Sequence, residues 1–309
     1  MNTDFWLLAL GVVVFLSVSS VISHVLAWRA GRGDAVLNNL AERVDAWWLL
    51  VGIGIPAIAA GRGAAIVLFA IASFLSLREF LSLTPTRQGD RPAMFAAFFI
   101  AIPMQYVLVG VDWYGLFAIF LPVYGFLAIS ALTAVAQDTQ HYLERNAKLQ
   151  WAVMVCVYGI SHAPALMFLD IPGYDAADGV LLVFFLLVVQ ASEVLQYVCG
   201  KLFGRRKLAA ALSSHKTWEG LVVGGLLATA VGTSLYPFTP FRPWQAALLS
   251  LAIVVAGLFG GLVLSAVKRS LGAQDWGSSL SGHGGMLDRM DSIAFSAPIC
   301  FHLTRFWFA

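Results

Sequence analysis

The chain has 309 residues, of which 60% are hydrophobic and only 12% are Asp, Glu, Lys or Arg. A soluble domain carries about 25% charged residues, so this sequence lacks the side chains to cover a water-facing surface, and lipid is the implied solvent. The net charge of +2 is spread through short loops, which excludes the concentrated basic face of a nucleic-acid binder.

The expected architecture is all-α: a polytopic integral membrane protein. A crossing needs roughly 20 apolar residues. Apolar runs near 5–27, 46–60, 64–78, 93–110, 115–135, 151–169, 179–199, 221–237, 244–267 and 291–308 predict about ten transmembrane helices. The first run has no basic segment before it and no small-residue cleavage site, so it is expected to stay as a helix rather than be removed as a signal peptide. The second and third runs are short and separated by Gly61-Arg62-Gly63, as in a tight hairpin or re-entrant pair. Pro56, Pro103, Pro122 and Pro164 fall in or near runs and predict kinks. Cys156, Cys199 and Cys300 lie in apolar surroundings and read as buried small hydrophobes, with no metal spacing and no disulfide framework.

Lys and Arg are concentrated in alternate loops: Arg29, Arg32 and Arg43; Arg78, Arg87 and Arg91; Arg145 and Lys148; Lys201 to Lys216; and Lys268, Arg269 and Arg289. The opposite connections carry Asp112, Asp170, Asp175 and Asp178. The positive-inside rule therefore predicts that the basic loops face the cytoplasm. Tryptophans near span ends, such as Trp28, Trp113, Trp151 and Trp244, fit interfacial belts. Asp138, Glu144 and Arg145 read as interfacial charges. The expected division is an N-terminal transmembrane region, 1–150, and a C-terminal transmembrane region, 151–309, that holds the polar motifs.

Two of the basic loops exceed what orientation requires. The first is Ser213-Ser214-His215-Lys216-Thr217-Trp218-Glu219-Gly220. The second runs from Ser265 to Ser292, SAVKRSLGAQDWGSSLSGHGGMLDRMDS. Glycines at Gly282, Gly284 and Gly285 permit close backbone approach to a ligand. Asp288 and Asp291, three apart, share one helical face. Two carboxylates so placed repel unless a cation lies between them, and hard oxygen donors suit Mg2+. Ser265, Lys268 and Arg269 add donors and positive charge suited to phosphate. No second histidine stands at ligand spacing to His283, which excludes zinc. The residues by themselves thus point to metal-assisted phosphoryl or nucleotidyl chemistry at the membrane interface.

The same stretch resembles the signature of the phosphatidate cytidylyltransferases, or CDP-diacylglycerol synthases. The matching positions are Ser265, Lys268, Arg269, Asp275, Gly277, Gly282, His283, Gly284, Gly285, Asp288, Arg289 and Asp291. Lys216-Thr217-Trp218-Glu219-Gly220 resembles a second element of that family, and the resemblance covers about residues 192–292. It implies transfer of CMP from CTP to phosphatidate, with Mg2+ as cofactor and CTP, phosphatidate and membrane lipids as partners. A homo-oligomer is left open, and a bacterial-type inner membrane is implied. It further implies catalytic phosphate contacts from Lys216, Lys268, Arg269, His283 and Arg289. Substrate contacts are implied for Ser213, Ser214, Glu219, Ser265, Asp275, Gly282, Gly284 and Gly285, and metal ligation for Asp288, Asp291 and Glu193. The chain departs from the pattern at four places. Gln274 stands for a lysine, Ser281 for a proline, and Ser192-Glu193 for Asn-Asp. Gly261, four residues before Ser265, stands where the family has an aspartate thought to help the metal centre. Glu193 is the residue to compensate. The departures keep open a cytidylyltransferase for another lipid phosphate and a catalytically silent relative. A transporter would instead require ionisable groups at the midplane and a two-fold hydropathy repeat.

Overall fold

The computed structural model describes residues 3–30, 48, 51–175, 179–277 and 284–308. The protein is all-α apart from two short hairpins. In chain order the described elements are α1 (Thr3–Ala30), α2 (Arg62–Leu83), α3 (Gln88–Gly110), α4 (Tyr114–Val135) and α5 (Tyr142–Phe168). After the two-residue strands β1 (Asp170–Ile171) and β2 (Tyr174–Asp175) comes α6 (Val180–Phe203). The hairpin β3 (Lys207–Ala209) and β4 (Ser213–Thr217) follows. The chain ends with α7 (Gly220–Ser234), α8 (Pro243–Ser270) and α9 (Met286–Phe308).

The number of full crossings corrects the expectation of about ten. Among the described residues six helices are long and apolar enough to cross a membrane: α2, α3, α4, α5, α6 and α8. Two of the other apolar runs fall short for physical reasons. Helix α7 has 15 residues in Gly220–Ser234, about 22 Å at 1.5 Å per residue, which is short of a hydrocarbon core of about 30 Å. Helix α9 has the length, with 23 residues, but carries Asp288, Arg289 and Asp291 in its opening turns and Arg305 in its last. Helix α1, with 28 residues over Thr3–Ala30, is a further apolar helix beside these six. Of the run 46–60, the described part is Trp48 and a helical stretch over 51–59. The loop containing Arg32 and Arg43, with Asp178, lies outside the described residues.

The expected proline kinks take a definite form. Wide π-turns occupy Ala97–Ala101, Phe120–Gly125 and Met154–Gly159. The first lies just before Pro103, the second contains Pro122, and the third precedes Pro164. A proline lacks the N–H for the i−4 carbonyl, and a π-turn absorbs that mismatch without breaking the helix.

One hydrophobic core runs from Phe5 through Phe80, Leu149, Phe184 and Ile253 to Phe301. Helix α9 lies at its centre, packed on α8, α5 and α2. Lipid tails are as apolar as leucine, so helix association rests on close packing and interhelical hydrogen bonds. Both are present. Tyr106 Oη on α3 donates to the Phe69 carbonyl on α2 at 2.7 Å, with Ser73 Oγ also at 2.7 Å. Helix α7 meets α6 through glycines: a Cβ on Gly220 or Gly224 would stand 2.6 or 2.5 Å from backbone atoms of Gln196.

The charges outside the polar loops are not idle. Arg87 and Arg145 both bind Asp138, at 2.7 and 2.9 Å, and Arg145 also faces Asp90 at 3.5 Å. The Arg87 hydrogen bond, with Arg145 behind it, holds the Asp138 carboxyl below the usual carboxylate range. This network ties the α2–α3 connection to the α4–α5 connection. Arg87 and Asp138, which read separately as an orienting basic residue and an interfacial charge, are thus one latch.

The Gly224 contact gives a direct test. Gly224→Ala is expected to destabilise the bundle by about 1–3 kcal/mol and lower the melting temperature in detergent. Gly115→Ala, at a position with open space around its Cβ, is expected to change stability by less than about 0.5 kcal/mol.

Candidate functional site

Polar elements meet at one end of the bundle: the ends of α2 and α8, the β3–β4 hairpin, the segment 271–277 and the start of α9. Helix α8 stops where Gly272 takes a left-handed φ of 74°. The chain returns as α9 after Gly284, whose φ of 80° is again left-handed. The glycines of the motif therefore serve first to turn the backbone.

The first turn of α9 lies inside the protein, so its backbone N–H groups need acceptors. Two carboxylates supply them. Asp288 Oδ2 accepts from Gly285 N at 2.9 Å and Trp276 N at 3.0 Å, while its Oδ1 accepts from Lys268 Nζ at 2.5 Å. Glu79, on α2, accepts from Met286 N and Leu287 N, each at 2.8 Å. Its side chain is wedged between two glycines. A Cβ on Gly285 would stand 2.4 Å from Glu79 Oε2, and one on Gly277 3.1 Å from its carboxyl carbon. The aromatic neighbour closes this joint: Trp276 is 1% exposed and stacks on Phe80 at 5.0 Å.

Beside this joint opens a cavity of about 480 Å³. It is lined by Glu193 from α6, Ser213 and Lys216 from β4, Asp275, Gly284, and Asp288, Arg289 and Asp291 from α9. Asp291 Oδ1 accepts from Ser292 N at 2.5 Å and Ser292 Oγ at 3.1 Å. Its Oδ2 lies toward Gly261. Glu193 lines the cavity from α6 and is exposed there. It interacts electrostatically with Asp291, Lys216 and Arg289.

The sequence-predicted residues thus divide. The cavity brings together Lys216, Arg289, Ser213, Asp275, Gly284, Asp288, Asp291 and Glu193. Lys268 is buried and bound to Asp288. Arg269 is exposed and donates to the Ala273 carbonyl at 2.8 Å, closing the end of α8. Ser265 Oγ donates to the Gly261 carbonyl at 2.6 Å within the same helix. Glu219 Oε2 accepts from Arg205 N and Arg206 N at 3.0 and 3.2 Å, which pins the hairpin. Those two N–H groups hold its carboxyl below the usual carboxylate range. Gly285 lies against Glu79 rather than in the cavity wall. Gly282 and His283 lie outside the described residues, as does the side chain of Ser214.

Whether the donors fit a divalent ion is a question of their chemistry. Among the described residues no three His, Cys, Asp or Glu side chains form a closed metal cage. Mg2+ is commonly held by one or two carboxylates with water and substrate phosphates completing the shell. Asp291 Oδ2 and Glu193 are hard oxygen donors of that kind, so the residues present fit an ion shared with a phosphate ligand.

Sequence reading missed Glu79. Next to Arg78 it looks like an interfacial charge, and its partner Met286 is 207 residues away. The only local signal is a carboxylate inside an otherwise apolar run.

The fold and cavity define a multi-pass membrane protein with a charged pocket at one end of its bundle, built from the C-terminal helices. Comparison with known proteins carries this further: the chain belongs to the cytidylyltransferase family, whose model matches residues 41–307. It is 33% identical to the uncharacterised protein YnbB of Escherichia coli (strain K12), over 94% of this chain and 95% of that protein. It is 42% identical to the phosphatidate cytidylyltransferase of Mycobacterium leprae, a match covering 40% of each chain. With the enzyme of the same name from Staphylococcus haemolyticus it shares 28% identity over 77% of this chain and 88% of that one.

Replacing Glu79 tests the helix joint. Glu79→Ala leaves two buried N–H groups without acceptors and is expected to cost about 1–3 kcal/mol, read as a lowered melting temperature. Glu79→Gln, which keeps one acceptor oxygen, is expected to lose less.

Proposed function

We propose that the protein transfers CMP from CTP to phosphatidate, giving CDP-diacylglycerol and pyrophosphate. The observation that carries this is the cavity itself: Lys216 and Arg289 stand beside the carboxylates of Asp291 and Glu193, in a chain of the cytidylyltransferase family. A site with both signs of charge suits a phosphate ligand that arrives with a divalent cation.

The reaction is a phosphoryl substitution. An oxygen of the lipid phosphate forms a bond to the α-phosphorus of CTP. The bond from that phosphorus to the oxygen bridging the β-phosphate breaks, and pyrophosphate leaves with the electron pair. The attacking phosphate is already anionic, so no general base is needed. The barrier lies in bringing anion to anion, and catalysis consists of positioning and charge neutralisation. Lys216 and Arg289 bind and neutralise phosphate oxygens. Asp291 and Glu193, with the remaining capacity of Asp288, would hold Mg2+. That ion, when bound, supplies Lewis-acid stabilisation of the leaving group. Asp275 and Ser213 at the cavity wall orient the nucleotide. Lys268 acts through Asp288 and holds the start of α9 in register. Arg269, Glu219 and Ser265 serve the loops and helix ends around the site rather than the substrate.

The N-terminal region, 1–150, acts as the scaffold in this reading. It reaches the C-terminal region, 151–309, through Glu79 at the root of α9. The lipid acceptor enters from the bilayer in this reading, and the positive-inside rule supports a cavity on the cytoplasmic face of an inner membrane.

Purified protein in detergent, given Mg2+, labelled CTP and phosphatidate, is expected to form lipid-linked CMP with an equal amount of pyrophosphate. Asp291→Asn and Arg289→Met are each expected to lower kcat by about 10²–10³-fold. No transfer to phosphatidate would refute the proposal. Transfer only to another lipid phosphate would keep the chemistry and change the acceptor.

A further inference from the structure

Gly261 lies in α8, facing the cavity region from beneath Lys216. A Cβ on residue 261 would stand 2.6 Å from Lys216 Nζ and 3.4 Å from Asp291 Oδ2. The Lys216 ammonium therefore occupies space that any side chain at 261 would claim. Lys216 Nζ is the end of a flexible chain, so a larger residue at 261 would displace the ammonium rather than disrupt the helix.

Charges of both signs surround this seat. Glu193 and Asp291 are the carboxylates nearest it, with Asp275 and Asp288 further along the cavity wall, and Lys216 and Arg289 are the cations that act on Glu193. Lys216 also acts on Asp291. The next pair outward, Lys268 and Asp288, is joined to itself at 2.5 Å. A divalent ion approaching Asp291 meets a like charge already seated. A nucleotide triphosphate changes that balance by bringing several negative charges of its own.

We propose that Lys216, seated in the space left by Gly261, is a built-in cation that keeps divalent ions out of the cavity until nucleotide phosphates arrive. The metal then enters as a metal–nucleotide complex, and Gly261 is the residue that makes this order of binding possible. The second half of the proposal rests on the nucleotide-site reading above. The first half concerns only the protein and the ion.

Equilibrium dialysis of the purified protein against micromolar Mn2+, with bound metal measured by atomic absorption, separates the two. The wild-type protein is expected to retain little Mn2+ alone and about one ion per chain when CTP is present on both sides of the membrane. Lys216→Met, which removes the charge, and Gly261→Ala, which displaces it, are each expected to bind Mn2+ without nucleotide at least about tenfold more tightly than wild type. Melting temperatures near that of wild type show that the variants are folded. Stoichiometric Mn2+ binding by the wild type without CTP overturns the proposal, as do folded variants that bind no better than wild type. A gain by the variants, with no CTP-dependent uptake by the wild type, upholds the Lys216 seat and overturns the nucleotide reading.

Discussion

The start of the Met286–Phe308 helix is the constraint on which the rest of the site depends. A helix that begins inside protein leaves its first N–H groups without water, and each unmet donor costs free energy. Here Asp288 and Glu79 accept from Gly285, Met286 and Leu287, and Asp288 also holds Trp276. This arrangement fixes the rotation of α9. Asp291 and Arg289, less than one turn further on, are thereby aimed at the cavity. The motif glycines follow from the same demand. Gly277 and Gly285 leave room for Glu79, and Gly284 supplies the left-handed turn.

Charges in this bundle fall into two kinds according to their partners. Lys268, Glu219 and Arg269 each satisfy a defined neighbour and shape a helix end or hairpin. Lys216, Arg289, Asp291 and Glu193 remain turned toward the cavity. The second kind lines the cavity, where the proposed reading puts the ligand. Gathering such a set is tolerable because opposite charges stand near one another, which reduces the desolvation cost each would carry alone.

The helices that carry the site are held by contacts of different character. Glycine pairs bring α7 onto α6, while ion pairs around Asp138 tie the connections of α2–α5 together. The first depends on shape, since lipid offers no hydrophobic gain for pressing helices together. The second lies at the span ends, where Arg87 keeps contact with solvent while Arg145 and Asp90 are buried. The β3–β4 hairpin, pinned by Glu219, then brings Lys216 across α6 toward Gly261.

Composition alone determined that this is a many-helix membrane protein, because an apolar excess cannot be hidden from water at this chain length. The run from Ser265 to Ser292 pointed to the place of the proposed chemistry, since a Gly-rich turn followed by Asp-Arg-x-Asp sets carboxylates beside a tight backbone turn. Sequence could not give the number of full crossings. Hydropathy finds apolar runs, but not that α7 is too short or that α9 spends its first turns on polar work. Nor could it rank the charges, because Lys216 and Lys268 look alike until their neighbours are known. Glu79 and Gly261 show the reason most clearly. Each acts through a residue far away in the chain, Met286 and Lys216 respectively. Only packing of the helices brings those partners together and gives a lone carboxylate and an absent side chain their roles.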